Sequence, residues 1–205
     1  MIIFEQIYKK IDPEINRPFL LAIDGVDCSG KTTFARKLAD YLRSDGKQII
    51  QAAIDGFHNP KEIRYRNGST PEGYYRDSFN YDALKKDLLN PLKFSTERRY
   101  KTAVFDFKTE SKIEQAWQTA PSDSILIFEG VFLHRPELVN FWDYSIFLDV
   151  SWETVIARAI KRDGYLFGSE AEIEKRYLEK YIPGQKLYLD ESHPKEKADL
   201  VINNN

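Results

Sequence analysis

A single cysteine, Cys28, stands in the 205 residues, so no internal disulfide can staple the fold, and the chain suits a reducing compartment. Long apolar runs are missing too. None approaches the roughly 18 residues of a transmembrane helix, and the first residues carry acidic Glu5 with no cleavage-type apolar region. Neither a membrane span nor a signal peptide is therefore expected. Basic excess is also absent: the formal net charge is −2, which argues against nucleic acid as a main partner. There is no internal repeat, low-complexity tract or linker. The expectation is a cytoplasmic globular protein forming one domain over 1–205, long enough to bury its own core. Oligomeric state is left open, a homo-oligomer included.

Against these absences one stretch stands out. Phe19 to Ile23 is a short, wholly apolar run that reads as a buried strand. Gly25-Val26-Asp27-Cys28-Ser29-Gly30-Lys31-Thr32 then matches G-x-x-x-x-G-K-[ST], the phosphate-binding loop. From Thr33 to Arg43 the apolar residues Phe34, Ala35, Leu38, Ala39 and Leu42 recur at helical spacing. Strand, glycine loop and helix are the context the motif requires. Glycines let successive backbone N–H groups approach and wrap a phosphate chain at a helix N-terminus. Gly25, Asp27, Cys28, Ser29, Gly30, Lys31, Thr32 and Thr33 are thus the candidate nucleotide-binding residues. Lys31 would pair with the terminal phosphates and the Thr32 hydroxyl would hold Mg²⁺. Cys28 reads as a small loop filler, since no activating neighbour is evident.

The rest alternates strands with helices. Residues 2–11 form a helix-like face ended by Pro13, and 47–54 reads as a second strand ending at Asp55. Residues 56–80 are polar, rich in Arg and Tyr, and too long for an idle connection. A short helix over 81–89 should close near Asn90-Pro91. AVFDF (103–107) is a third strand-like run, 108–120 an excursion, and SILIF (124–128) a buried strand ending at Glu129. A further strand spans 144–150, and a capped helix follows from Ser151 to about Arg162. Another helix over 170–181 should stop at Pro183-Gly184, and ADLVI (198–202) is the last strand. This order predicts an α/β fold, an open, mostly parallel sheet flanked by helices, with ligands at the carboxyl ends of the strands. Asp55, Asp106 or Glu110, Glu129 and Asp149 would converge there.

The sequence resembles the uridine kinase / phosphoribulokinase family of P-loop kinases. The likeness covers nearly the whole chain through GVDCSGKT, DGFH (55–58), DSFNYDAL (77–84), VFDFKTE (104–110), IFEG (127–130) and the tail IKRD … ADLVI. DGFH is closer to pantothenate kinase-like and related sugar or vitamin kinases. The resemblance implies a P-loop NTPase fold and transfer of the ATP γ-phosphate, with Mg²⁺, to a hydroxyl of a small molecule: a nucleoside such as uridine, or a sugar or vitamin-like metabolite. It makes Asp55 the general base and a metal-side residue, and Glu129 the Walker-B-like acid near Mg²⁺. Arg158 and Arg162 become arginines of a lid over about 158–176. The catalytic set is then Asp55, Lys31, Glu129 and Arg162, with Thr32, Asp55 and Glu129 on the metal. Within the acceptor side, His58, Arg64, Tyr74, Arg76, Phe105 and Glu110 are the candidate substrate contacts. Phe105 and Glu110 replace a tyrosine and a histidine of uridine kinases, and Tyr74 aligns with their ribose-binding aspartate. A nucleotide-hydrolysing switch or chaperone is the alternative class.

Overall fold

The computed structural model describes residues 2–11, 15–167 and 169–205, with backbone alone over 163–167. Pro13, expected to end the first helix, lies outside the described residues; so do the side chains at the centre of the expected lid.

Five strands form one sheet: β1 (Phe19–Gly25), β2 (Ile49–Ala53), β3 (Ile125–Gly130), β4 (Tyr144–Asp149) and β5 (Leu200–Asn203), in spatial order β2-β3-β1-β4-β5. Every pairing is parallel, with Ala22 opposite Phe128 on one side and Ser145 on the other. The period-2 pleat divides the apolar residues between two cores. Leu20, Ala22, Leu126, Phe128 and Phe147 face one, and Leu21, Ile23, Ile125, Ile127, Ile146 and Leu148 the other.

The second core is closed by α1 (Ile2–Tyr8) and α2 (Lys31–Ser44), which buries Ala35, Leu38, Ala39 and Leu42 along one stripe. The first is closed by the long segment between β2 and β3, including α3 (Pro71–Asp77), and by Tyr188 of a later helix. Helix α4 (Trp152–Phe167) begins at Ser151, whose Oγ accepts from the Thr154 N–H at 3.2 Å, and extends beyond the expected end at Arg162. It is followed by α5 (Glu170–Arg176), opened by a Ser169–Glu172 capping box, and α6 (Ile182–Ser192).

Three expectations need correction. AVFDF adds no strand to the sheet: Phe105–Asp106 pairs only with Ser111–Lys112 in a two-residue ribbon. Its backbone instead docks on the turn after β2, where Val104 N–H donates to Gly56 O at 2.8 Å. Asp106 and Glu110 therefore do not follow a sheet strand. Nor do Pro91 and Pro183 stop their helices. In each case a π turn, Lys85–Leu89 or Tyr177–Tyr181, precedes the proline, and the helix continues to Phe94 or Ser192. Proline's missing N–H and its clash with the carbonyl four residues back are absorbed by the wider turn.

Candidate active site

The carboxyl ends of β1, β2 and β3 open into a cavity of about 610 Å³. β1 runs directly into the phosphate loop, whose last glycine, Gly30, has φ 90° and precedes the first turn of α2. That backbone angle favours glycine; a Cβ there would also lie 2.7 Å from the Asn204 amide nitrogen, a side-chain end that would have to turn aside. Lys31 is buried, and its Nζ donates to Val26 O at 2.7 Å, curling over its own loop. Thr32 Oγ1, in the first turn of α2, donates to Glu129 Oε1 at the end of β3 at 2.9 Å, which brings hydroxyl and acid together. Burial raises the Glu129 carboxyl above the usual range, against the opposing pull of Lys31 and the Thr32 hydroxyl.

After β2 the chain makes a 3₁₀ turn, Ile54–Phe57, anchored by buried Ile54 and Phe57, which leaves Asp55 exposed at the cavity. Gly130 permits this approach: a Cβ on it would stand 2.6 Å from Ile54 Cβ. His58 Nδ1 lies 3.0 Å from Asp55 O. Since a carbonyl only accepts, Nδ1 carries the proton and Nε2 of the neutral ring is an acceptor. Burial lowers the His58 pKa, against the pull of Asp55. Phe79 and Phe107 flank the ring at 4.6 and 4.4 Å between centroids.

Asp27, Cys28, Gly30, Lys31, Thr32, Thr33, Asp55, His58, Tyr74, Glu129, Arg158 and Arg162 all line this one cavity. Gly25 and Ser29 shape the loop from behind it. Arg158 donates to Cys28 O at 3.2 Å and Asn204 O at 2.8 Å, strapping the loop to the end of β5. Arg162 donates to the Tyr177 hydroxyl at 2.9 Å. The remaining four candidates stand outside the lining. Arg64 is ion-paired with Glu110, Arg76 with Glu191, and Phe105 is buried in its ribbon. Asp149, at the end of β4, is paired with Lys195 at 2.7 Å. Asn80 caps the helical turn Tyr81–Leu84 by accepting from Ala83 N–H at 2.9 Å.

Several residues at the site were not anticipated. Asp24 is wholly buried under the loop: Oδ1 accepts from Gly25 N–H at 2.7 Å, and Oδ2 from His134 Nδ1 at 2.6 Å and from the Tyr188 hydroxyl. An acid ending an apolar strand was the one available signal. Gln185 holds Asp27 at two points, and Asn204 donates to Ser29 O at 2.6 Å. Both come from distant sequence and carry no local mark. Lys108 and Tyr181 also line the cavity. Among the described residues no helix is long and apolar enough to cross a membrane.

Known proteins of similar sequence and shape share this arrangement's fold. The chain is 24% identical over 188 residues to a uridine kinase of Lactobacillus johnsonii, covering 91% of this chain and 86% of that one. It is also 24% identical over 200 residues to uridine-cytidine kinase-like 1 of Mus musculus, covering 95% of this chain but only 35% of the mouse protein. Among solved structures, a possible uridine kinase from Bacillus stearothermophilus superposes with a TM-score of 0.77 at 23% identity, covering 98% and 96% of the two chains. A provisionally assigned fructose transport system kinase from Silicibacter sp. TM1040 gives 0.82 at 24%, covering 98% and 97%. The family model described as Phosphoribulokinase / Uridine kinase matches residues 20–204, and the chain belongs to that family of P-loop kinases.

Proposed function

We propose that this chain transfers the γ-phosphoryl group of ATP to a hydroxyl of a small molecule, with Asp55 as the base that faces it. The observation that carries the reading is the shared cavity: Lys31 and Thr32 of the phosphate loop and Asp55 of the second strand's turn line one space of about 610 Å³. That exceeds the roughly 300 Å³ at the lower end of small-molecule sites, leaving room for an acceptor between loop and base.

The transition state of such a transfer is loose, so the residues act by placement and charge. The acceptor oxygen forms the new bond to Pγ while the bond from Pγ to the β,γ-bridging oxygen breaks. The hydroxyl proton passes to Asp55, and ADP leaves. Lys31 would exchange its Val26 carbonyl partner for phosphate oxygens, and Arg162 would offset charge on the transferring group. Thr32, Glu129 and Asp55 present hard oxygen donors that fit Mg²⁺. No cluster of three or more His, Cys, Asp or Glu able to cage a metal occurs among the described residues. An ion there would be held by one or two carboxylates together with phosphates and water. Bound Mg²⁺ supplies charge neutralisation on those phosphates.

An ATP-consumption screen over nucleosides, sugars and vitamins tests the proposal. Asp55→Asn should lower turnover at least ~100-fold while leaving ATP affinity within about threefold, the usual weight of a positioned base. Full turnover in the variant would remove Asp55 from the mechanism.

A further inference from the structure

A carboxylate inside a phosphate-binding loop is an electrostatic oddity, because it would repel the anion the loop grips. Asp27 is such a group, and its bonds point elsewhere. Its Oδ2 accepts from the Tyr74 hydroxyl at 2.7 Å and from Gln185 Nε2 at 2.8 Å, and its own N–H donates to Gln185 Oε1 at 2.9 Å. Tyr74 belongs to α3 in the segment after Asp55, and its ring meets Tyr181 at 5.0 Å and Phe132 at 5.2 Å. Asp27 is thereby fastened to the wall formed by Tyr74 and Gln185. Its Oδ1 takes no hydrogen bond from any described residue, and the side chain lines the cavity.

The charge around the acceptor space narrows the ligand. Three arginines of the segment after β2 are already neutralised within the protein: Arg64 by Glu110, Arg66 by Asp77 and Arg76 by Glu191. Of the cavity's cations, Lys31, Arg158 and Arg162 belong to the phosphate side. Lys108 is left, exposed at the rim with no ion pair among the described residues. An anionic acceptor would find two carboxylates and a hydrogen-bond-accepting histidine, with one solvated cation to hold it. A molecule rich in hydroxyl donors finds acceptors.

We propose that Asp27 reads the acceptor rather than the nucleotide, its free oxygen taking a hydrogen bond from a second hydroxyl of an uncharged polyhydroxylated molecule while Asp55 faces the hydroxyl that is phosphorylated. This rests on the phosphotransferase reading above and names its substrate class. Asp27→Asn is a selective probe: the amide oxygen can keep the Tyr74 and Gln185 bonds, which turns the NH₂ toward the cavity and replaces an acceptor with a donor.

The test is steady-state phosphorylation of ribose, fructose, glycerol, uridine and cytidine, beside ribulose 5-phosphate and pantothenate. Turnover should be confined to the uncharged set. With the best of them, Asp27→Asn should raise the acceptor KM about 10- to 100-fold, the weight of a hydrogen bond to a charged group. The ATP KM should stay within about threefold. The deoxy analogue lacking the second hydroxyl should be penalised in the natural protein but not in Asp27→Asn. Tyr74→Phe, which frees one of the bonds that aim Asp27, should shift the acceptor KM in the same direction by less, and Lys108→Ala should change it less than about threefold. An equal rise in the ATP KM would return Asp27 to the nucleotide side and overturn the inference. So would turnover confined to the charged acceptors and dependent on Lys108, with the kinase reading left standing. Phosphorylation of nothing at all, with ATP bound, would instead bring down the kinase reading and this inference with it.

Discussion

Gly130 shows how one missing methyl group sets the position of the Asp55 turn. It ends β3 one residue after Glu129 and lies against Ile54, whose neighbour is Asp55. Gly130→Ala would place a Cβ 2.6 Å from Ile54 Cβ, a contact that backbone and side chain relieve only by moving the turn. Catalysis by placement loses about 100-fold for a displacement near 1 Å. The variant should therefore fold, bind ATP within about threefold of the natural affinity, and lose turnover by about 10- to 100-fold. Single-turnover kinetics beside ATP titration would separate the two effects, and an unchanged chemical rate would show that the contact is relieved without touching Asp55. The loop residues, Asp55 and Glu129 were legible because each ends an apolar run, where topology brings strand ends together. Gln185, Tyr188 and Asn204 were not, because their roles arise from packing of the C-terminal residues under the loop, which leaves no local pattern.

At the level of elements, proline misled in the same way twice. Its rule concerns a regular α-helix, and both Pro91 and Pro183 follow a π turn in which the bond runs from the Asn90 N–H to Lys85 O, or from the Ile182 N–H to Tyr177 O. The widened turn leaves the proline ring space that four-residue periodicity denies. The second π turn also has a consequence for the site, since it carries Tyr177 and Tyr181 into the cavity wall. Pro183→Ala removes the constraint and lets the helix relax toward the α register, rotating both tyrosines. Stability should change by less than about 1 kcal/mol, as a gained backbone bond offsets lost stiffness, while the acceptor KM rises at least about threefold. Chemical denaturation beside acceptor kinetics would check this; an unchanged KM would mean that tertiary packing, not Pro183, holds the turn. AVFDF misled for a different reason. Of its apolar residues only Phe105 is buried, and the run packs against Gly56 and the Asp55 turn instead of a sheet edge.

Across the whole molecule, the sheet has an open end at the cavity and a clamped end. Opposite the cavity, Asp143 just before β4 receives a two-pronged grip from Arg17 at 2.6 and 2.7 Å, the Leu20 N–H at 2.8 Å and Lys93 at 3.4 Å. One carboxylate thus joins the starts of β1 and β4 to the helical segment that carries Lys93. Burial alone would raise its pKa, but the Arg17 and Leu20 hydrogen bonds and the Lys93 charge together hold it below the ordinary value. A carboxyl depressed in the folded state stabilises the fold above the unfolded pKa of about 3.9, and that contribution fades as pH falls through the folded value. Asp143→Asn keeps the shape and the bond from Leu20 but sets an uncharged amide against a guanidinium and an ammonium. It should cost about 2 kcal/mol near pH 7, the scale of hydrogen bonds to a charged partner. The gap to the natural protein should hold toward pH 5 and close below about pH 4, where the natural carboxyl gains its proton too. Urea denaturation of both proteins from pH 7 to pH 3 measures the difference directly. A gap that persists undiminished at pH 3 would assign the clamp to packing of the aspartate rather than to its charge.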